Sequence, residues 1–280
     1  MTTSAVPLPS EAPALNVESL RVRAQLRLRA VGDGTKTRLA DLGEGGGYRI
    51  KFPHAQECLE GVIVNTGGGL LGGDELNIEA SADTGAHLDI TTQSAEKIYR
   101  ALEQPARLNV KLNVAQSAKL HWMPQESILF SGARFIREIH ADVAANAELL
   151  IAESMVFGRI ASGEIMHAGA VKDRWRIRRD GRLLFADDFV LSGALADALD
   201  RPAIAGGARA SATLLLVAPD AETRLDAVRE HMTLQGVESG ASAWNGMLIM
   251  RLLSKDPALL RKVIITILEG LRQSPVPRFW

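Results

Sequence analysis

From Leu20 to about Leu191 the apolar residues recur with a period of two. Leu26 and Leu28 alternate with Arg27 and Arg29, and Leu108, Val110, Leu112 and Val114 alternate with Arg107, Asn109, Lys111 and Asn113. Successive side chains of a strand point to opposite faces, so this alternation predicts strands with one buried face. Trp175 and Ile177 alternate with Arg174, Arg176 and Arg178; Asp180-Gly181 follows as a turn, and Leu183 and Phe185 resume the apolar face. That pattern predicts a hairpin. Many such segments, separated by Gly, Asn, Asp and Ser, predict a mainly β protein, a large antiparallel or β-helix-like assembly of short strands. No long helix is expected in this region, and the best short candidate is Ser94–Leu102.

The period then changes. Ala210–Val217 reads as a short apolar strand. Pro219 and Asp220 open a helix carrying Leu225, Val228 and Met232, and two strands follow around Trp244-Asn245-Gly246. Pro257 starts a second helix at a position that tolerates proline. Its Leu260, Val263, Ile264, Ile267, Leu268 and Leu271 keep the spacing of one helical face. The expected order is a C-terminal β-α-β-β-α layer with two helices. The chain is therefore read as a disordered lead over 1–18, a β-rich region over 19–192, a connecting loop over 193–208 and an α+β region over 209–280. Together they make one integrated domain.

Composition narrows the function classes. The 280 residues are 46% hydrophobic, enough to build a core without a disulfide or structural metal. A formal net charge of -1 argues against nucleic acid or an anionic membrane as partner. With Cys58 the single cysteine, a Cys-rich zinc site or iron–sulfur cluster within this chain is excluded. Residues 1–17 lack a basic and an apolar signal region, and no apolar run approaches a membrane span, so a cytoplasmic location is expected.

The most conspicuous motif is Thr66-Gly67-Gly68-Gly69-Leu70-Leu71-Gly72-Gly73-Asp74. Gly67, Gly69 and Gly72 satisfy the dinucleotide-binding spacing. That chemistry requires a helix directly afterwards, with its first amides facing the phosphates. Glu75-Leu76-Asn77-Ile78-Glu79 alternates like a strand instead, and no Gly-Lys-Ser/Thr follows. A close-packed glycine turn is the better expectation. His54, His87, His121, His140, His167 and His231 are scattered, although several could converge in space. Glu164 and His167 place a carboxylate and an imidazole near one another. Arg174, Arg176 and Arg178 are expected on a solvated strand face. Signatures of a nucleophilic enzyme are absent.

Several blocks nevertheless have a joint order. They are Cys58-Leu59-Glu60-Gly61-Val62-Ile63-Val64-Asn65 leading into the glycine turn; Thr91-Thr92-Gln93-Ser94-Ala95-Glu96-Lys97-Ile98-Tyr99-Arg100; and Trp122-Met123-Pro124-Gln125-Glu126 with Gly132-Ala133-Arg134. Glu153, Gly158-Arg159, Gly163-Glu164, Asp173-Arg174-Trp175 and Asp180-Gly181 follow. Over roughly residues 20–280 this resembles the urease accessory protein UreD (UreH) family. One departure is Asn65-Thr66, where many members carry His-Pro.

The resemblance implies a non-enzymatic, largely β scaffold. It joins UreF and the GTPase UreG on apo-urease and assists nickel delivery, with dimerisation through the UreF assembly left open. No tightly bound cofactor is implied, only nickel(II) in transit. The acidic residues of the matching blocks, Asp74, Glu126, Glu153, Glu164 and Asp173, are the candidate transient ligands. Each could instead serve structure, by capping a turn or pairing with an arginine. A nickel-independent β-rich interaction protein and a nucleotide-binding enzyme using the glycine block are the alternatives.

Overall fold

The structure is a computed structural model that describes residues 21–34, 36–53 and 58–280. The expected lead over 1–18 and His54 lie outside the described residues.

The chain winds between two sheets. β1 (Arg23–Gly32) and β2 (Thr37–Glu44) form a hairpin in the first sheet, and β3 (Tyr48–Lys51) and β4 (Leu59–Asn65) pair in the second. Two coils follow: β5 (Glu75–Ala82), β6 (His87–Thr92) and the short β7 (Glu96–Ile98), then β8 (Ala106–Val114), β9 (Lys119–Met123) and the short β10 (Ser127–Leu129). β11 (Arg134–Val143) and β12 (Glu148–Phe157) continue the winding, and β13 (Ala168–Arg179) and β14 (Arg182–Ala194) end it as a hairpin. Each coil lays its strand beside the equivalent strand of the coil before, so these ladders are parallel. β1, β5, β8, β11 and β13 are parallel neighbours in the first sheet, and β4, β6, β9 and β12 in the second. The β-helix-like half of the expectation thus describes the middle of the molecule, and the antiparallel half describes its ends.

The C-terminal order is as expected. β15 (Ala210–Val217), α2 (Leu225–His231), β16 (Val237–Trp244), β17 (Met247–Ser254) and α3 (Pro257–Arg272) follow the short α1 (Leu195–Asp200), which lies within the stretch expected to be a loop. β15 pairs antiparallel with β12, so the layer extends the second sheet. Asp256 caps α3, its carboxylate accepting the Ala258 amide at 2.8 Å, and Pro257 fits the first turn, where its missing N–H is no loss. All six apolar residues of its predicted face are buried. No helix among the described residues is long and apolar enough to cross a membrane.

Two cores result. The first fills the space between the sheets, with Leu26, Leu28, Leu88, Trp122, Phe135, Leu149, Trp175 and Ile177 among its members. The second lies under α2 and α3 on the outer face of the second sheet. β12 is sandwiched between them, and all ten of its residues are buried.

The helix considered for Ser94–Leu102 does not form. Glu96–Ile98 is β7, parallel to β10, because the third side of each coil pairs with its neighbour. The glycine turn behaves as expected. β5, a strand, follows it, and the glycines serve close approach: a Cβ on Gly69 would lie 2.5 Å from the Tyr99 ring, and one on Gly72 2.5 Å from the Ala101 Cβ. Arg174 and Arg176 lie on the solvated face of β13 and share Asp188 of β14.

Candidate functional site

The five candidate carboxylates take different positions. Asp74 closes the glycine turn, one oxygen accepting the Val22 amide at 2.9 Å and the other the Leu71 amide at 2.8 Å. Beside it, Gly73, Glu75 and Glu103 line a groove of about 660 Å³ with Arg21, Arg23, Arg100 and Arg107, a lining with more cationic than anionic side chains. Glu126 accepts from Arg261 of α3 at 2.7 Å. Glu164 accepts the Ser131 amide at 2.9 Å and Arg159 Nε at 2.6 Å; the amide, then the guanidinium, hold it below the usual carboxylate range. The His167 imidazole is not among its partners, and that segment meets Ser131 through the His167 amide.

Glu153 and Asp173 do come together. Both project into the inter-sheet core, from β12 and β13, and Arg137 of β11 lies between them. Arg137 donates to Asp173 from Nε at 2.9 Å and from Nη2 at 2.6 Å, and its Nη1 donates to Glu153. The Trp122 indole donates to the other Glu153 oxygen at 2.8 Å, and the Trp175 indole donates to Asp173 at 3.0 Å. Burial raises Glu153, which shares its guanidinium with Asp173, while the two carboxylates hold Arg137 above its ordinary value.

Asn65 stands where the resemblance leads one to expect a histidine. Its Nδ2 donates to Tyr48 Oη and to Glu96 at 2.8 Å each, and its Oδ1 accepts the Gly67 amide at 2.8 Å, which opens the glycine turn. Burial pushes the Glu96 carboxyl up to about 7, these hydrogen bonds opposing the shift only in part.

A second polar cluster lies on the outer face of the second sheet, beside the C-terminal end of α3. β4, β6 and β9 are adjacent and parallel there. Leu59 pairs with Leu88 and Asp89 pairs with His121, so Cys58, His87, Asp89 and His121 share one face. Asp89 Oδ2 accepts from Arg272 at 2.5 Å and lies 3.5 Å from the Cys58 sulfur. Its Oδ1 lies 3.2 Å from His87 Nε2 and 2.9 Å from His121 Nδ1, but neither pair is aligned as a hydrogen bond. His121 Nε2 meets Glu148 at 3.0 Å, and the other Glu148 oxygen accepts from Arg224 at 3.0 Å. Burial works against ionisation of Asp89 and Glu148, but the imidazoles outweigh it: Asp89 is held far below the carboxylate range and Glu148 falls to about 2. Burial, with the Asp89 charge, pushes the Cys58 thiol up to about 12.

Sequence reasoning missed this cluster. Period two places His87 and Asp89 on one face, which was readable. That Cys58 and His121 join them depends on the pairing of separate coils, which no local spacing records.

A profile of the UreD urease accessory protein family matches residues 22–280. Urease accessory protein UreD of Xanthobacter autotrophicus (strain Py2) is 46% identical over 287 residues, covering 100% of this chain and 99% of the relative. Its namesake from Methylobacterium sp. (strain 4-46) is 47% identical over 264 residues, covering 92% of this chain and 93% of the relative. That of Azorhizobium caulinodans is 42% identical over 261 residues, covering 93% and 96%. With a family profile and relatives matched over nearly its whole length, the chain belongs to the UreD family of urease accessory proteins.

Proposed function

We propose that this chain is a non-catalytic, cytoplasmic scaffold of urease maturation that joins UreF and UreG on apo-urease and assists the passage of nickel(II) to the enzyme. The observation that carries the nickel part is the Arg137 group, where two carboxylates share one guanidinium deep between the sheets. Carboxylate oxygens are acceptable nickel ligands. Arg137 competes with an ion for the same oxygens, which weakens retention and favours release. Nickel is cargo here, held in passing.

The assembly part is supported by the surface. β2 and β14 edge the first sheet and β3 and β16 the second. Leu39 and Leu42 on β2, Leu183 and Val190 on β14 and Trp244 on β16 are exposed. Open edges and exposed apolar side chains are features of protein-binding faces.

A second reading, a scaffold through which no nickel passes, is favoured by the partners that all five candidate carboxylates already have among amides, indoles and guanidinium groups. The deciding experiment is co-expression with UreF, UreG and apo-urease, with and without nickel. Expected are co-purification of the four components and a nickel-loaded, active urease only when this chain is present. Co-purification with unchanged nickel content would leave the scaffold alone, and no association with UreF would overturn both readings.

A further inference from the structure

The outer-face cluster has the composition of a metal site. The Cys58 sulfur, a His87 ring nitrogen and an Asp89 oxygen lie within 4.8 Å of one another. A tetrahedral ion bound at about 2.0–2.3 Å draws its ligand atoms somewhat closer than that, so small side-chain movements suffice.

An independent observation points to the same place. Buried side-chain atoms without a hydrogen-bond partner are rare in a folded chain, because each costs its full desolvation. Among the described residues, six of the seven such atoms gather on this strip: Asp89 Oδ1, His87 Nε2 and His121 Nδ1, which meet one another only as unaligned ion pairs, with Glu60 Oε1 and Thr91 Oγ1 beside them and Arg272 Nε behind; the seventh, Arg179 Nε, is on β13. The Asp89 side chain is 1% exposed, yet one of its oxygens is directed at two imidazoles that do not donate to it in line. A cation bonded to Oδ1 and to His87 Nε2 replaces their unaligned 3.2 Å contact with two direct bonds.

The surroundings orient the ligands. Arg272 occupies Asp89 Oδ2, which leaves Oδ1 for an ion. His121 backs Oδ1 and is itself held by Glu148, which Arg224 holds in turn. Outer contacts of this kind set the angle and basicity of a ligand. The His87 side chain is 31% exposed and Cys58 is half-buried, so the cluster lies at the edge of the solvated surface with Nε2 itself covered.

We propose that Cys58, His87 and Asp89 bind one exchangeable divalent transition-metal ion, nickel(II) or zinc(II), on the outer face of the second sheet, separate from the Arg137 group. One sulfur, one imidazole and one carboxylate suit these ions and not magnesium or calcium. Coordination replaces the thiol proton, which leaves to solvent. Three protein ligands leave a position for water or for a ligand from a partner, as an ion in exchange requires. The site's place in nickel delivery rests on the function proposed above; its existence does not.

The test uses the purified full-length chain titrated with cobalt(II) or nickel(II) chloride alone. Expected is one equivalent bound with a sulfur-to-metal charge-transfer band. Cys58→Ser abolishes the band, and Cys58→Ser, His87→Gln and Asp89→Asn each weaken binding by about 10–100-fold or more, the loss typical of disturbing a metal site. Asp226→Asn, a 95% exposed carboxylate of α2 outside both clusters, binds like the parent, and circular dichroism confirms that the variants are folded. No band in the parent, or a band and affinity unchanged in Cys58→Ser, overturns the site. That outcome leaves the nickel-delivery function to its own co-purification test.

Discussion

The two buried polar clusters sit on opposite faces of the same sheet, and they are built on different rules. Around Arg137 every charged atom has a partner: the guanidinium meets two carboxylates, and each carboxylate also accepts an indole. Around Asp89 the charges are as numerous, but Asp89 Oδ1 meets His87 Nε2 and His121 Nδ1 at 3.2 and 2.9 Å without an aligned hydrogen bond. A fully satisfied network in a dry interior rigidifies the packing and tolerates no missing member. A partly satisfied one close to solvent keeps capacity for a ligand. Burial alone therefore does not mark a functional group. The balance of donors and acceptors separates the inner cluster, whose carboxylates an ion reaches only by displacing Arg137, from the outer one, whose contacts are incompletely aligned.

The sharpest way to break this comparison is Arg137→Met. It leaves Glu153 and Asp173 facing each other in the core, and removing one partner of a buried ion pair costs about 3–5 kcal/mol. Expected is a large drop in the denaturant midpoint of the purified chain. The triple variant Arg137→Met/Glu153→Gln/Asp173→Asn should recover part of it, because no unpaired charge remains. A single variant as stable as the parent would show that the inner cluster is not closed.

Glu96 offers a third case, a largely buried carboxyl that accepts from Tyr48 and Asn65 but from no guanidinium or imidazole. Here the proton takes the place of the cation. Its pKa is raised to about 7, so the folded chain binds this proton more tightly than the unfolded chain does. Stability from this group is therefore full below the ordinary carboxylate pKa, falls as pH rises from there to about 7, and stays lost above. Gln mimics the protonated form. Glu96→Gln should be near neutral at pH 4 and stabilising at pH 8, by up to about 3 kcal/mol on a conversion of 1.4 kcal/mol per pKa unit. Parallel stability curves for parent and variant across that range would refute it.

The legible parts of the fold are those where one face is wet. Alternation in β1, β8 and β13 and the helical face of α3 follow from local pattern, and Asp180-Gly181 turns as its φ angles of +46° and +75° require. β12 was not legible as a half-buried strand, because α3 covers its second face and its residues are buried without alternation. The third side of each coil was misread at Ser94–Leu102 because β7 is only three residues long and is held by β10 of the next coil. The candidate site divides in the same way. Asp74, Glu126, Glu153, Glu164 and Asp173 stood out within recognisable blocks, but which of them meet depends on the stacking of coils. His121, between Leu120 and Trp122, reads as a strand residue on the face away from the core. Only the neighbouring coil brings Asp89 to it.

The smallest expected effect bears most directly on nickel. Glu126 and Glu164 pair with arginines near the surface, their side chains 25% and 23% exposed. Pairs that share their charge with water contribute at most about 1 kcal/mol. Glu126→Gln and Glu164→Gln should therefore shift the melting midpoint only slightly, in contrast to Arg137→Met, and should leave association with UreF intact. If either carboxylate is a stepping point for the ion, urease activation falls in cells while complex yield does not, since a neutral amide holds nickel less well than a carboxylate. If activation and yield fall together, the loss is one of folding or docking, and that residue leaves the proposed route. If neither changes, the route does not pass through these two groups. Measuring activation and complex yield on the same lysates is what makes the outcome readable, because an effect of this size on stability is too small to imitate a lost ligand.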